Sequence, residues 1–155
     1  MKTIKMKTKD NMKKGKAIEH YIISELLKND FDVFVPVVDT GTDLIIKDRE
    51  GGLVEIQVKS RDIQNDEDVF FMKDFKPNFN FFIVCHNINT GDFFCMPSQK
   101  FYQKSDLDKK KNQRTITYST IKKHLYARNE EGIALLKKAL ESKQNRVKGY
   151  LDKEE

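Results

Sequence analysis

The sequence predicts one α/β domain built on a mixed central sheet flanked by helices, and three observations carry that prediction. Lys14–Asn29 places Ile18, Ile22, Ile23, Leu26 and Leu27 at helical spacing. Two pairs of short apolar segments, 42–47 with 53–60 and 80–87 with 92–96, are each joined by a turn containing glycine. Two further segments begin with helix-start signals, at Ser119 or Thr120 and at Asn129. A chain of 155 residues is the size of one domain around one core. We expect a basic flexible arm over 1–13, a single domain over 14–143 and a polar tail over 144–155.

The first helix reads from Lys14 to Asn29. Glu19 lies within about 60° of Ile22, Ile23 and Leu26 at ~100° per residue, in the middle of the apolar stripe. An unpaired carboxylate there costs several kcal/mol, so Glu19 needs a cation or a donor beside it. Lys59 is the plain structural partner, and a metal site is the functional one. A strand at Asp32–Val38 follows, with Pro36 marking it as an edge. Thr40-Gly41 turns the chain into Thr42–Lys47, and Asp48–Gly52 turns it again into Leu53–Ser60.

Residues 61–78 combine an acidic run with VFFMKDFKP and suggest a short strand and a helical turn. Asn80–Asn87 and Asp92–Met96 form a hairpin around Asn89-Thr90-Gly91. A three-residue loop would set Cys85 opposite Cys95, as two buried thiols in a reducing compartment. Nine of the eleven phenylalanines lie between Phe70 and Phe101, at strand spacing that suits a core better than base stacking. A short helix opens at Pro97-Ser98. Lys104–Arg114 reads as a basic loop, Thr115–Tyr118 as a strand, and a helix reaches about Ala127. The last helix buries Ile133, Leu136 and Leu140 behind an Asn129 cap.

Net charge is +5, and it is unevenly placed. Residues 1–16 hold seven lysines against Asp10, and 104–123 hold seven basic residues against Asp106 and Asp108. Such clusters suit a polyanion bound by counterion release, or else form solvated lysine-rich surfaces. No apolar run approaches the ~20 residues needed to span a bilayer, and the N-terminus lacks a secretory signal, so we expect a cytoplasmic protein with no membrane partner. His20, His86 and His124 show no zinc-ligand spacing with the two cysteines.

The segment Thr42–Ser60, TDLIIKDREGGLVEIQVKS, carries the chemistry. Strand alternation puts Gln57 and Lys59 on one face and Ile56 and Val58 on the other. A hairpin centred on Glu50 sets Asp43 opposite Gln57, so Asp43, Gln57 and Lys59 converge. A slip of one residue breaks the arrangement. An acid, an amide oxygen and a lysine can hold a divalent cation and orient a water, the equipment for phosphodiester cleavage. In that reading Asp43 and Gln57 bind metal with the Val58 carbonyl and Glu19 assisting, and Lys59 holds the nucleophile and offsets phosphate charge. In another register, Asp43 and Glu55 bind metal while Gln57 contacts substrate. The plainer explanation is that Gln57 and Lys59 are the polar face of an amphipathic strand.

A helix glutamate, then GTD-LII, a turn and EIQVKS resembles the PD-(D/E)XK nuclease superfamily. Asp43 matches its metal-binding acid, Gln57-Val58-Lys59 its (D/E)-x-K tripeptide and Glu19 its helix acid. No proline precedes Asp43, and Gln57 replaces the acid, as in the QxK members: an intron-encoded homing endonuclease group and small bacterial endonuclease-like proteins. The likeness covers 15–61 and extends to 80–102. It implies a restriction-endonuclease-like core and an Mg²⁺-dependent endonuclease acting on DNA, of restriction or homing type, with Mn²⁺ as an alternative ion. A junction-resolving or repair nuclease and a non-catalytic nucleic-acid-binding module are the rival readings. We expect DNA phosphates along Lys13, Lys14, Lys16, Arg61, Lys109, Lys110, Lys111 and Arg114. Cutting two strands calls for two sites, hence a homodimer or higher assembly.

Overall fold

The computed structural model describes residues 2–38, 40–124 and 127–151, with side chains for 10–38, 40–124 and 127–141. The elements run α1 (Lys2–Lys28), β1 (Asp32–Phe34), β2 (Leu44–Lys47), β3 (Leu53–Arg61), β4 (Val69–Lys73), β5 (Phe81–Asn87), β6 (Phe93–Pro97), α2 (Ser98–Lys104), β7 (Asp106–Asp108), β8 (Gln113–Thr117), α3 (Tyr118–His124) and α4 (Glu130–Leu151). Five strands form a mixed sheet in the order β1-β2-β3-β5-β6, in which only the β3–β5 pair is parallel. The expected α/β architecture with helices on a mixed sheet is the one observed.

Strand alternation sorts the residues of this sheet into two cores. Leu44, Ile46, Val54, Ile56, Val58, Phe82, Val84, Phe93 and Cys95 face Ile22 and Leu26 of α1 and Ile133, Leu136 and Leu140 of α4. Ile83, Cys85, Phe94 and Met96 face the other way, onto Phe101 of α2, Ile121 of α3 and the strands β4 and β8. Leu27, expected in the α1 stripe, is instead exposed. Helix α1 begins at Lys2, so residues read as a flexible arm continue the helix in this structure; the stretch 2–14 contains no Gly or Pro to interrupt it. It stops where Asp30 adopts a left-handed conformation (φ 65°) and Phe31 donates back to the Leu26 carbonyl at 3.2 Å. Helix α4 likewise runs to Leu151, through most of the stretch read as a tail, while 152–155 lie outside the described residues.

The β2–β3 hairpin has the register on which the site depends. Ile46 pairs with Val54 and Lys47 with Leu53, which centres the turn on Glu50. Asp48 fixes that turn by accepting from the Glu50 and Gly52 amides at 2.9 and 2.8 Å, and Gly51 takes φ +92°. The β5–β6 hairpin departs from expectation by one residue. Val84 pairs with Cys95 and Cys85 with Phe94, because the loop between His86 and Phe93 holds an even number of residues. The two thiols therefore point into opposite cores and do not face each other. Both remain free and buried, and burial pushes the Cys95 thiol up to about 12.

A second, three-stranded antiparallel sheet, β4-β8-β7, was not legible. Strand β7 lies inside the stretch expected to be a basic loop, and its three residues, Asp-Leu-Asp, carry no strand pattern until β8 pairs with them. Thr117 caps α3 in place of Ser119 or Thr120, its Oγ1 accepting from the Thr120 amide at 3.2 Å. That helix ends at His124; its expected continuation to Ala127 crosses residues 125–126, outside the described set. Asn129 precedes α4 as expected but does not cap it with its side chain. Its Oδ1 accepts from the Phe93 amide at 3.0 Å and its Nδ2 donates to Asp92 at 2.9 Å, tying α4 to the start of β6.

That junction is tight. A Cβ on Gly132 would sit 2.8 Å from both the Ala127 carbonyl oxygen and Cys95 Sγ. Gly→Ala inside a helix ordinarily stabilises by roughly 0.5–1 kcal/mol. Here overpacking against backbone reverses the sign, and Gly132→Ala is expected to destabilise by about 1–3 kcal/mol. Urea denaturation checks it; a variant at or above wild-type stability would show that α4 can shift away at no cost.

Candidate active site

Asp43 is delivered by a glycine turn and locked by β3. Gly41 takes φ +83° just before it, and the Asp43 amide donates to the Ile56 carbonyl at 2.9 Å. The Val58 amide donates to Asp43 Oδ2 at 2.8 Å, so main chain on both sides of Gln57 holds this residue. Extending the ladder by one pair from Leu44–Ile56 sets Asp43 level with Gln57. Gln57 takes the amide orientation that gives both its polar atoms a partner: its nitrogen donates to the Gly41 carbonyl at 3.3 Å and its oxygen accepts from Lys59 Nζ at 3.2 Å.

Glu19 reaches the same place from α1. It lines one cleft with Asp43, Lys16 and Thr42, and it accepts from Lys16 Nζ at 2.7 Å. Its ion-pair partner is thus Lys16, where the plainer of the two sequence alternatives had Lys59. The Asp43 carboxyl is raised above its ordinary value of 3.8, chiefly by burial and further by the charge of Glu19; the Val58 hydrogen bond, Lys59 and Lys16 oppose that rise without cancelling it. These influences place Glu19, Lys59 and Lys16 all within electrostatic reach of one carboxylate. Two acids and two lysines thus share one partly buried site.

A carboxyl raised in the folded state holds its proton more tightly there than in the unfolded chain. Its ionisation therefore removes stability as pH climbs through the window between 3.8 and the raised folded value. Asp43→Asn keeps an oxygen for the Val58 amide and removes the charge. We expect a higher melting temperature than wild type at pH 7, with the difference closing as pH falls below that window. An equal or lower melting temperature at pH 7 would contradict the burial cost assigned to Asp43.

The remaining expected residues are placed as follows. Glu55 faces Ile45, so the observed register is the one that brings Gln57, and not Glu55, level with Asp43. Val58 contributes its amide to Asp43 and buries its side chain. Lys13 and Lys14 are exposed on α1, one to two turns before Glu19. Arg61 ends β3 with its guanidinium 5.8 Å from the Phe71 ring centroid. Lys109, Lys110 and Lys111 form the exposed β7–β8 turn, and Asn112 anchors that turn to Asp74, which borders a second cleft beside Gln57 and Glu55. Arg114 belongs elsewhere: it stacks 3.6 Å from the Tyr102 ring centroid and donates to the Tyr102 and Ser105 carbonyls, holding the hairpin to α2. Lys73 and Lys76, which the sequence reading passed over, border the second cleft. Lys73 ends the short strand expected in VFFMKDFKP, whose approach to Gln57 no local pattern shows. Among the described residues no three His, Cys, Asp or Glu side chains gather as a metal cluster.

The solved structure of a bacterial homing endonuclease, I-Ssp6803I, superposes with a TM-score of 0.58 at 19% sequence identity, over 83% of this chain and 95% of that one. At that identity the likeness speaks to the fold. No curated protein matches the sequence. No helix among the described residues is long and apolar enough to cross a membrane. The family description that matches, PD-(D/E)XK endonuclease, spans residues 6–120, and the chain belongs to that endonuclease family.

Proposed function

We propose that the protein is a divalent-metal-dependent endonuclease that hydrolyses DNA phosphodiester bonds at the Asp43–Lys59 site. The observation that carries this reading is the half-buried Asp43 carboxylate, which shares a cleft with Glu19 and lies within electrostatic reach of Lys59. The donors on offer, two carboxylates, the Gln57 amide and main-chain carbonyls, are all hard oxygens, which suits Mg²⁺ with several retained waters, or Mn²⁺. Asp43, Gln57 and the Val58 carbonyl would hold the ion, with Glu19 assisting once Lys16 yields. A bound ion polarises the phosphate and makes its own water acidic.

The chain's own residues do the rest. Lys59, already hydrogen-bonded to Gln57, sits two residues along the same strand face and orients the attacking water. Its ammonium offsets charge that grows on the phosphoryl oxygens as the new O–P bond forms and the leaving P–O bond breaks. Lys13, Lys14, Arg61 and the 109–111 turn would follow the phosphate backbone. Cleavage of both strands requires a second site, supplied by a second copy of the chain in a homodimer or larger assembly. Restriction, homing and junction-resolving roles share this chemistry.

Nicking of supercoiled plasmid is expected with Mg²⁺ and not with EDTA. Comparing linear duplex with a four-way junction then separates sequence-directed from junction-directed cleavage. Salt-sensitive DNA binding with no metal-dependent nicking would leave a binding module, the reading that the neutral Gln57 favours.

A further inference from the structure

The cleft that holds Asp43 and Glu19 has a second wall, formed by VPVV at 35–38, just after Phe34. Pro36 has no amide hydrogen for a strand ladder, so β1 stops at Phe34 and the next residues leave the sheet. Their side chains stay in water: Phe34 is 53% exposed, Val35 56%, Val38 68% and Val37 101%. Four adjacent exposed apolar residues form the kind of patch that marks an interaction surface. Val35 to Val38 line the same cleft as Met12, Lys16, Glu19 and Asp43.

We infer that this loop is a substrate contact: Val37 and Val38 lie against the sugar and base edges of the nucleotides flanking the scissile phosphate. The inference rests on the cleft being the DNA-cleaving site. Geometry supports it, since Val35 to Val38 and Asp43 line one cleft opposite α1. Chemistry supports it too. The loop has no cation for a phosphate, whereas valine methyls suit deoxyribose and the thymine methyl. The α1 wall supplies the charge, with Lys16 in the cleft and Lys13 and Lys14 exposed one turn away. The loop shares its cleft with Asp43 and with the lysine-bearing face of α1, which suits a polyanion that also presents sugar and base edges.

The test pairs a neutral substitution with a crosslink. In Val37→Ser/Val38→Ser, affinity for linear duplex DNA in Ca²⁺ should fall about tenfold, with the slope of log affinity against log salt unchanged because no cation is lost. The melting temperature should match wild type, both positions being exposed. Cys85 and Cys95 are buried, so a photoactivatable label on Val37→Cys stays at that site. It should crosslink to DNA, whereas the same label on Leu53→Cys, about 13 Å along the hairpin from the Asp43 level, should not. Wild-type affinity in the double variant, or a crosslink to a second protein chain instead of DNA, overturns the inference even if Mg²⁺-dependent cleavage is intact. Crosslinking and the tenfold loss without any cleavage leave the contact standing and sink the nuclease reading. Absence of DNA binding in wild type overturns both.

Discussion

Asp43→Ala and Lys59→Ala should each lower Mg²⁺-dependent plasmid nicking by roughly 10²–10³-fold while leaving the protein folded. The two losses have different causes and can be told apart. Asp43 is the carboxylate fixed by the Val58 amide and raised above its ordinary value chiefly by burial. Removing it should abolish the stabilisation that metal confers. In wild type, Mg²⁺ at ten times its Kd adds about 1.4 kcal/mol, which raises the melting temperature by roughly 3–6 °C. Asp43→Ala should show no such rise. Lys59 contacts Gln57 and acts on water and phosphate, so Lys59→Ala should keep the metal-induced rise and lose cleavage alone. Equal nicking by wild type and both variants would point to a contaminating nuclease and remove the assignment.

Leu136→Ala should destabilise the fold by about 2–5 kcal/mol, the range for a large-to-small change in a closed core. Leu136 is fully buried between Ile133 and Leu140 on α4, in the cluster shared with Val54, Ile56 and Val84 of the central strands. Deleting its branched end leaves a cavity that the sheet cannot collapse to fill, because β3 and β5 are held on both sides by ladders. The site lies at Asp43 and Gln57, on other elements. Nicking per folded molecule, measured well below the melting transition, should therefore stay near wild type. A drop in activity as large as that of Lys59→Ala would mean that α4 packing tunes the site.

The candidate site was legible because it is local. Asp43, Gln57 and Lys59 lie on one hairpin, and its turn chemistry, Asp48 with Gly51 and Gly52, sets an odd-numbered loop that could be counted. Glu19 was found by angular arithmetic on one helix. The same reasoning failed at Cys85 and Cys95, where the loop at 87–92 offered no equally firm turn signal and a single residue changed the face. Charge composition likewise cannot show that the Arg114 guanidinium is stacked on Tyr102.

From its own sequence the protein fixes the periodicities, and with them one α/β domain, the buried faces of α1 and α4 and the polar face of β3. Local backbone sterics and side-chain alternation suffice for those, since each is settled within one or two turns or a single hairpin. The β4-β8-β7 sheet, the pairing of Glu19 with Lys16, the approach of Asn112 to Asp74 and the apolar wall at 35–38 required the folded chain. Each joins segments through packing or placement against another element, and such contacts leave no period in the segments that make them.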